Sequence, residues 1–162
     1  MPGGERKSSL AQNTLDFSLP VGRVAACRRS PSFPDLTDGR GPLATDGEQA
    51  KKQFERFLRF FERLSEEGSR LCIGGRLSAD FAILPEPVRD PFRAFMAEHV
   101  AWLEELCRIG QKTAAFKKDM PAKDQALMLR AAVQGAVQLA RANGDVELYR
   151  SVAKVMRRQI LA

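Results

Sequence analysis

From Thr45 to the C-terminus, apolar residues recur at intervals of three and four, the repeat of a helix covering one side of a core. Phe54, Phe57, Leu58, Phe61 and Leu64 form the first such stripe. Thr45 and Glu48 have the spacing of a capping box and predict where that helix starts, and Gly68 predicts its end. A second helix is predicted over Arg70 to Leu84, with Ile73, Leu77, Phe81 and Leu84 on one side. Its Gly74–Gly75 pair costs about 1 kcal/mol per residue relative to alanine, which marks it as the element readiest to bend. Asp90–Pro91, a cap followed by proline at the first helical position, predicts the start of a third helix running to about Thr113. Phe92, Phe95, Met96, His99, Leu103, Leu106 and Cys107 share its apolar face. Pro121 opens a fourth helix, Asn143–Gly144 closes it, and Asp145 caps a fifth that ends near Ile160. The fifth places Leu148, Tyr149, Val152, Val155, Met156 and Ile160 on one side and Arg150, Lys154, Arg157 and Arg158 on the other. The pattern predicts an all-α bundle of about five helices over residues 45–162.

The fourth helix, containing MLRAAVQGAVQLARANGD, departs from the one-sided rule. Its polar residues Lys123, Arg130, Gln134, Gln138 and Arg141 gather in one strip, leaving an apolar arc of roughly 240° where a core-facing helix needs little more than 100°. One side is covered by the chain's own helices. The other, Met128, Ala132, Gly135 and Leu139, needs a second partner, and its small residues permit a close backbone approach. With Val152 and Met156 of the fifth helix, these positions predict a homodimer interface made of two helices from each copy. A monomer in which the first and third helices flank the fourth is the alternative arrangement.

Residues 1–44 read differently. Pro20, Pro31, Pro34 and Pro42 are too closely spaced for a long helix, and no stretch alternates as a strand. The segment is expected to be irregular, with at most a short helical turn around Ala11 to Phe17. The formal charge of +6 does not by itself imply nucleic acid, because the Lys and Arg residues are spread along the chain in nothing longer than pairs. Cys27, Cys72 and Cys107 have no paired spacing, which speaks against a disulfide framework or zinc site and for a reducing cytoplasm. No apolar run approaches the roughly 20 residues of a membrane span, and residues 1–17 lack the apolar core of a signal peptide.

Four segments, FERFLRFFERLSEEGSRLCIGG, PVRDPFRAFMAEHVAWLEELCRIGQKTAAFKKDMPAKD, LRAAVQGAVQLARANGD and VELYRSVAKVMRRQIL, follow one another in an order that resembles the C-terminal effector-binding and dimerisation region of TetR-family transcriptional regulators. The resemblance begins near Gly47 and extends to the end of the chain. It implies a transcriptional repressor whose helical domain binds a small apolar effector and forms a homodimer, with no cofactor. In that family a helix-turn-helix head precedes this region, and its second helix enters the major groove. Residues 1–44 contain no recognisable counterpart, so DNA binding is assigned to no residue here. Their Arg, Ser, Pro and Gly bias fits a shifted reading frame or misplaced start, and a helical dimerisation module that reads no DNA is the alternative function.

Candidate ligand contacts are the residues that would line a cavity among the first four helices: Phe57, Phe61, Leu77, Phe81, Leu103 and Met128, with Trp102 at the edge. His99 could hydrogen-bond an effector from the third helix. With no second ligand one turn away it does not suggest a metal, and no nucleophile or paired acid and base suggests an enzyme. Cys72 and Cys107 have arginines nearby in sequence, as reactive thiols require, although inert thiols are the simpler reading.

Overall fold

Five α-helices succeed one another in residues 43–66 and 73–162, the parts of the chain that the computed structural model describes. They are α1 Gly47–Glu66, α2 Ile73–Ala79, α3 Glu86–Lys112, α4 Ala122–Asn143 and α5 Val146–Ile160, with a 3-10 turn Phe81–Ile83 between α2 and α3. The readings made for the proline-rich leader, for Cys27, Gly68 and Cys72, and for a shifted start lie outside the described residues.

The first helix begins one residue later than its predicted capping box. Asp46, not Thr45, accepts from the Gln49 amide at 2.8 Å, and the Gln49 side chain reaches back to accept from the Thr45 amide at 3.2 Å. Glu48 pairs instead with Lys52 at the surface. The predicted second helix is shorter than expected and broken at Asp80, after which three residues tighten into the 3-10 turn. Pro85 explains the stop, since the residue before a proline avoids helical angles and Leu84 sits at φ −64°, ψ 140°.

The predicted start of the third helix at Asp90–Pro91 is also corrected. The helix starts at Glu86 behind Pro85 and carries Pro91 inside it. Proline there forfeits one backbone bond, but Pro87 and Pro91 are both exposed, so water can reach the orphaned carbonyl. Asp90 makes a surface pair with Arg93 at 2.7 Å instead of capping. Arg89 fastens the turn to this helix, donating from Nε to the Leu84 carbonyl at 2.9 Å and from Nη2 to that of Ala82 at 3.2 Å.

The last two helices match their sequence signals. Gly144 adopts φ 64°, the left-handed cap that glycine tolerates best, and the Asp145 carboxylate accepts from the Glu147 amide at 2.9 Å. So short a connection makes α4 and α5 antiparallel neighbours.

The core gathers around α4. Leu129, Val133, Ala136, Val137 and Ala140 meet Leu103, Leu106 and Cys107 of α3, Phe54, Phe57, Leu58 and Phe61 of α1, and Tyr149, Ala153, Met156 and Ile160 of α5. Burying each large side chain contributes about 1.5–3 kcal/mol, so this cluster dominates the stability. The α3–α4 connection is built into it. Phe116 is buried with its ring edge against Phe54, centroids 5.6 Å apart, and packs onto Gly110, which leaves it room. Buried Gln125 donates to the Lys117 carbonyl at 3.2 Å and accepts from Gln111 at 3.3 Å.

Along its length α1 is joined to α5. Tyr149 donates its buried hydroxyl to the Leu58 carbonyl at 2.7 Å. Arg157 grips Glu55 with two nitrogens at 2.9–3.2 Å, and Arg150 bridges Glu62 and Glu66 at 2.6 Å each. Arg150 and Arg157, which the sequence places opposite the apolar side of the helix, thus face α1.

Candidate functional site

The candidate ligand residues fall into two groups. Phe57, Phe61 and Leu103 are fully buried, and the rings of Phe57 and Phe61 meet edge to face at 5.1 Å with Trp102 beyond, 6.2 Å from Phe57. Phe81 is half-buried against Phe92 at 6.1 Å, with the Arg93 guanidinium over its outer face at 4.9 Å. Leu77 is half-buried on α2, and Met128 is half-buried against the core from α4. The structure brings Phe57, Phe61 and Trp102 together and places Phe81 in a separate aromatic row with Phe92 and Phe95.

His99 is buried, with its ring 4.3 Å from that of Phe95. Nδ1 lies 2.9 Å from the Phe95 carbonyl, which can only accept, so the proton sits on Nδ1. One turn further along the α3 interface, Met96 meets the Arg130 side chain, which α4 holds almost fully buried. The Arg130 guanidinium lies over the Phe61 ring at 5.9 Å, and its Nη1 donates to Gln134 Oε1 at 3.1 Å. The predicted polar strip of α4 is therefore split: Arg130 turns inward, whereas Gln138 and Arg141 stay at the surface.

A groove lies where the strip meets α2. It is open to solvent and has a volume of about 390 Å³, lined by Gly75, Arg76, Ala79 and Asp80 of the α2 segment and by Gln134, Val137, Gln138, Arg141 and Ala142 of α4. None of the candidate ligand residues read from sequence lines it. A Cβ on Gly75 would lie 2.1 Å from Gln134 Nε2, so the missing side chain lets α2 approach α4 this closely. The sequence signal was the Gln134, Gln138, Arg141 spacing opposite Gly74–Gly75, and nothing local showed that the two would meet.

Cys107 is buried beneath α1 and α4, and burial pushes its thiol up to about 12. Such a thiol stays protonated and unreactive. Among the described residues no group of three or more His, Cys, Asp or Glu is placed to hold a metal. No helix of the described residues is long and apolar enough to cross a membrane.

On the far side of α4, Leu127, Ala131, Gly135 and Leu139 are exposed, Leu139 by 56%. A Cβ on Gly135 would meet nothing within 4 Å. Leu148 and Val155 of α5 are exposed beside half-buried Val152. The side of α5 that the sequence reads as uniform is thus two-faced: Tyr149, Met156 and Ile160 point inward, Leu148 and Val155 outward, and Val152, half-buried against the core, lies between. Met156, expected at the interface, lies in the protomer's own core, whereas Met128, Ala132, Gly135, Leu139 and Val152 lie at or near the surface.

Comparison with known families finds one match over this region: residues 48–156 fit the family described as tetracyclin repressor-like, C-terminal domain. No curated protein and no solved structure matches the chain.

Proposed function

Because the chain belongs to the tetracyclin repressor-like C-terminal domain family, we propose that it is the dimerising, effector-binding part of a transcriptional repressor. Two copies pair through the outer faces of α4 and α5, and a small, largely apolar effector binds within the helical domain. The observation that carries this reading is the exposed apolar surface of α4 and α5, Leu127, Gly135 and Leu139 on one and Leu148 and Val155 on the other, on the same two helices whose inner sides already fill the core. A contiguous apolar surface of this kind marks an interaction site, and an antiparallel pair presenting it to its own copy closes a two-fold four-helix interface.

Sedimentation of the full chain at micromolar concentration tests the reading. A dimer that Leu139→Glu or Gly135→Arg converts to a folded monomer is the expected result, and a monomeric parent chain refutes it. A gel shift with the same material separates a repressor that reads DNA itself from a dimerising module that does not.

A further inference from the structure

The groove between α2 and α4 presents an occupant mainly with hydrogen-bond donors over an apolar floor. Gly75, Ala79, Val137 and Ala142 form the floor; Arg76, Arg141, Gln134 and Gln138 surround it, with Asp80 as its carboxylate. Guanidinium groups can only donate. The orientation of Gln134 follows from the same fact. The atom 3.1 Å from Arg130 Nη1 must be an acceptor, so it is the amide oxygen, and Nε2, a donor, is turned toward Gly75 and the groove. Among the described residues neither Arg76 nor Arg141 forms an ion pair, even with Asp80 in the same lining.

We propose that this groove binds an amphiphilic carboxylate: a compact hydrocarbon or aromatic skeleton laid on the floor, with one acid group taken by Arg76 and Arg141 and a further bond donated by Gln134 Nε2. The proposal rests on the effector-binding reading above and names the ligand class. A planar carboxylate suits guanidinium groups, two of which line this groove, because it accepts in pairs, and bonds to charged groups are the stronger kind. At about 390 Å³ the cavity falls within the range of small-molecule sites. Asp80 disfavours a second acid group and so limits the ligand to one. Gln134 also links the groove to the interior, since its other end holds Arg130, which lies over Phe61 and against Met96 Sδ at 3.6 Å. An acid drawing on Nε2 therefore acts on a side chain that reaches both α1 and α3.

The test uses the full chain and phenylpropyl, naphthylmethyl and octyl skeletons, each as carboxylate, primary amide and amine, with binding read by ligand-observed NMR and calorimetry. At least one carboxylate is expected to bind about tenfold or more tighter than its amide and amine. Arg76→Gln with Arg141→Gln should abolish that preference, while Lys123→Gln, elsewhere on α4, should leave it intact. Gln134→Glu keeps an acceptor for Arg130 but removes the Nε2 donor and cancels the groove's net positive charge, so it should weaken the preference for the carboxylate. Circular dichroism melts confirm that each variant folds. Amides or amines binding as well as the carboxylates, unaffected by the double substitution, overturn the carboxylate proposal and leave an effector site standing. Failure of every probe to bind overturns the proposal together with the effector reading.

Discussion

Gly110→Ala and Gly135→Ala make the same chemical change in two helices and are expected to move stability in opposite directions. In a helix interior, alanine is favoured over glycine by about 1 kcal/mol, so a site with open space should gain up to that amount. Within the protomer Gly135 is such a site, with nothing within 4 Å of the added methyl, so its gain is read from the unfolding of the dissociated protomer. At Gly110 the methyl would lie 2.3 Å from Phe116 Cδ2 and 2.4 Å from Cγ, against the rigid root of a ring and not the end of a flexible chain. Phe116 cannot move aside freely: it is 1% exposed, set against Phe54, and its amide donates to the Gly110 carbonyl at 2.9 Å. Forcing a methyl into a packed core costs about 1–3 kcal/mol, and full expulsion of the ring about 3–5 kcal/mol. Gly110 also lies in the last turn of α3, where the propensity gain is diluted by fraying. The clash wins, and a net loss of about 1–3 kcal/mol is expected. Urea unfolding followed by circular dichroism, run at several concentrations to separate dimerisation from folding, measures it. A Gly110→Ala protein as stable as the parent would refute the close packing of Phe116 on α3.

Removing the Tyr149 hydroxyl as Tyr149→Phe leaves the Leu58 carbonyl its helical bond but deletes a buried partner, and should cost about 1 kcal/mol in urea unfolding. Cys107 should resist thiol reagents in the native protein and react only on unfolding, as peptide-resolved mass spectrometry can show for this cysteine separately. Because burial raises its folded value from 9.0 to about 12, the native state keeps a proton that the unfolded chain gives up, so stability falls as pH rises through that interval. Denaturation midpoints across the interval should show the slope, reduced in Cys107→Ala; Tyr149, also raised by burial, adds the same sign at higher pH. Gly144→Ala, at φ 64° with open space around it, should lose about 1 kcal/mol from backbone strain alone in the same unfolding assay.

Signals decided by neighbours in sequence were legible in it. Gly144–Asp145 marked one helix end and the next beginning because a left-handed cap and a carboxylate cap act within a few residues, and both stand where the pattern put them. The capping box was off by one because Asp46 is as good a cap as Thr45 and the glutamine three residues after it competes with Glu48. Pro91 misled for a different reason. Proline reads as a helix start, yet Pro85 and Pro87 had already supplied one, and an exposed second turn tolerates the lost bond. The apolar excess of α4 was visible from its wheel, but the division of α5 into inner Tyr149, Met156 and Ile160 and outer Leu148 and Val155 depends on how it lies against α1. The groove was least legible. It exists only because Gly75 lets a distant segment settle on Gln134, and periodicity within either helix carries no trace of that meeting.

Two sets of couplings join α1 to α5, Glu55 with Arg157 at one end and Leu58, Glu62 and Glu66 with the neighbouring Tyr149 and Arg150 at the other. These ties hold the C-terminal half of α1, from Glu55 to Glu66, against α5 between Tyr149 and Arg157, and oppose sliding of one rod along the other. A shift of that half of α1 would therefore draw on α5, whose Leu148 and Val152 flank Tyr149 and Arg150 in sequence. Among the described residues no ion pair holds the short α2, which rests on Gln134 where Gly75 leaves room, so that joint is the more compliant part of the frame.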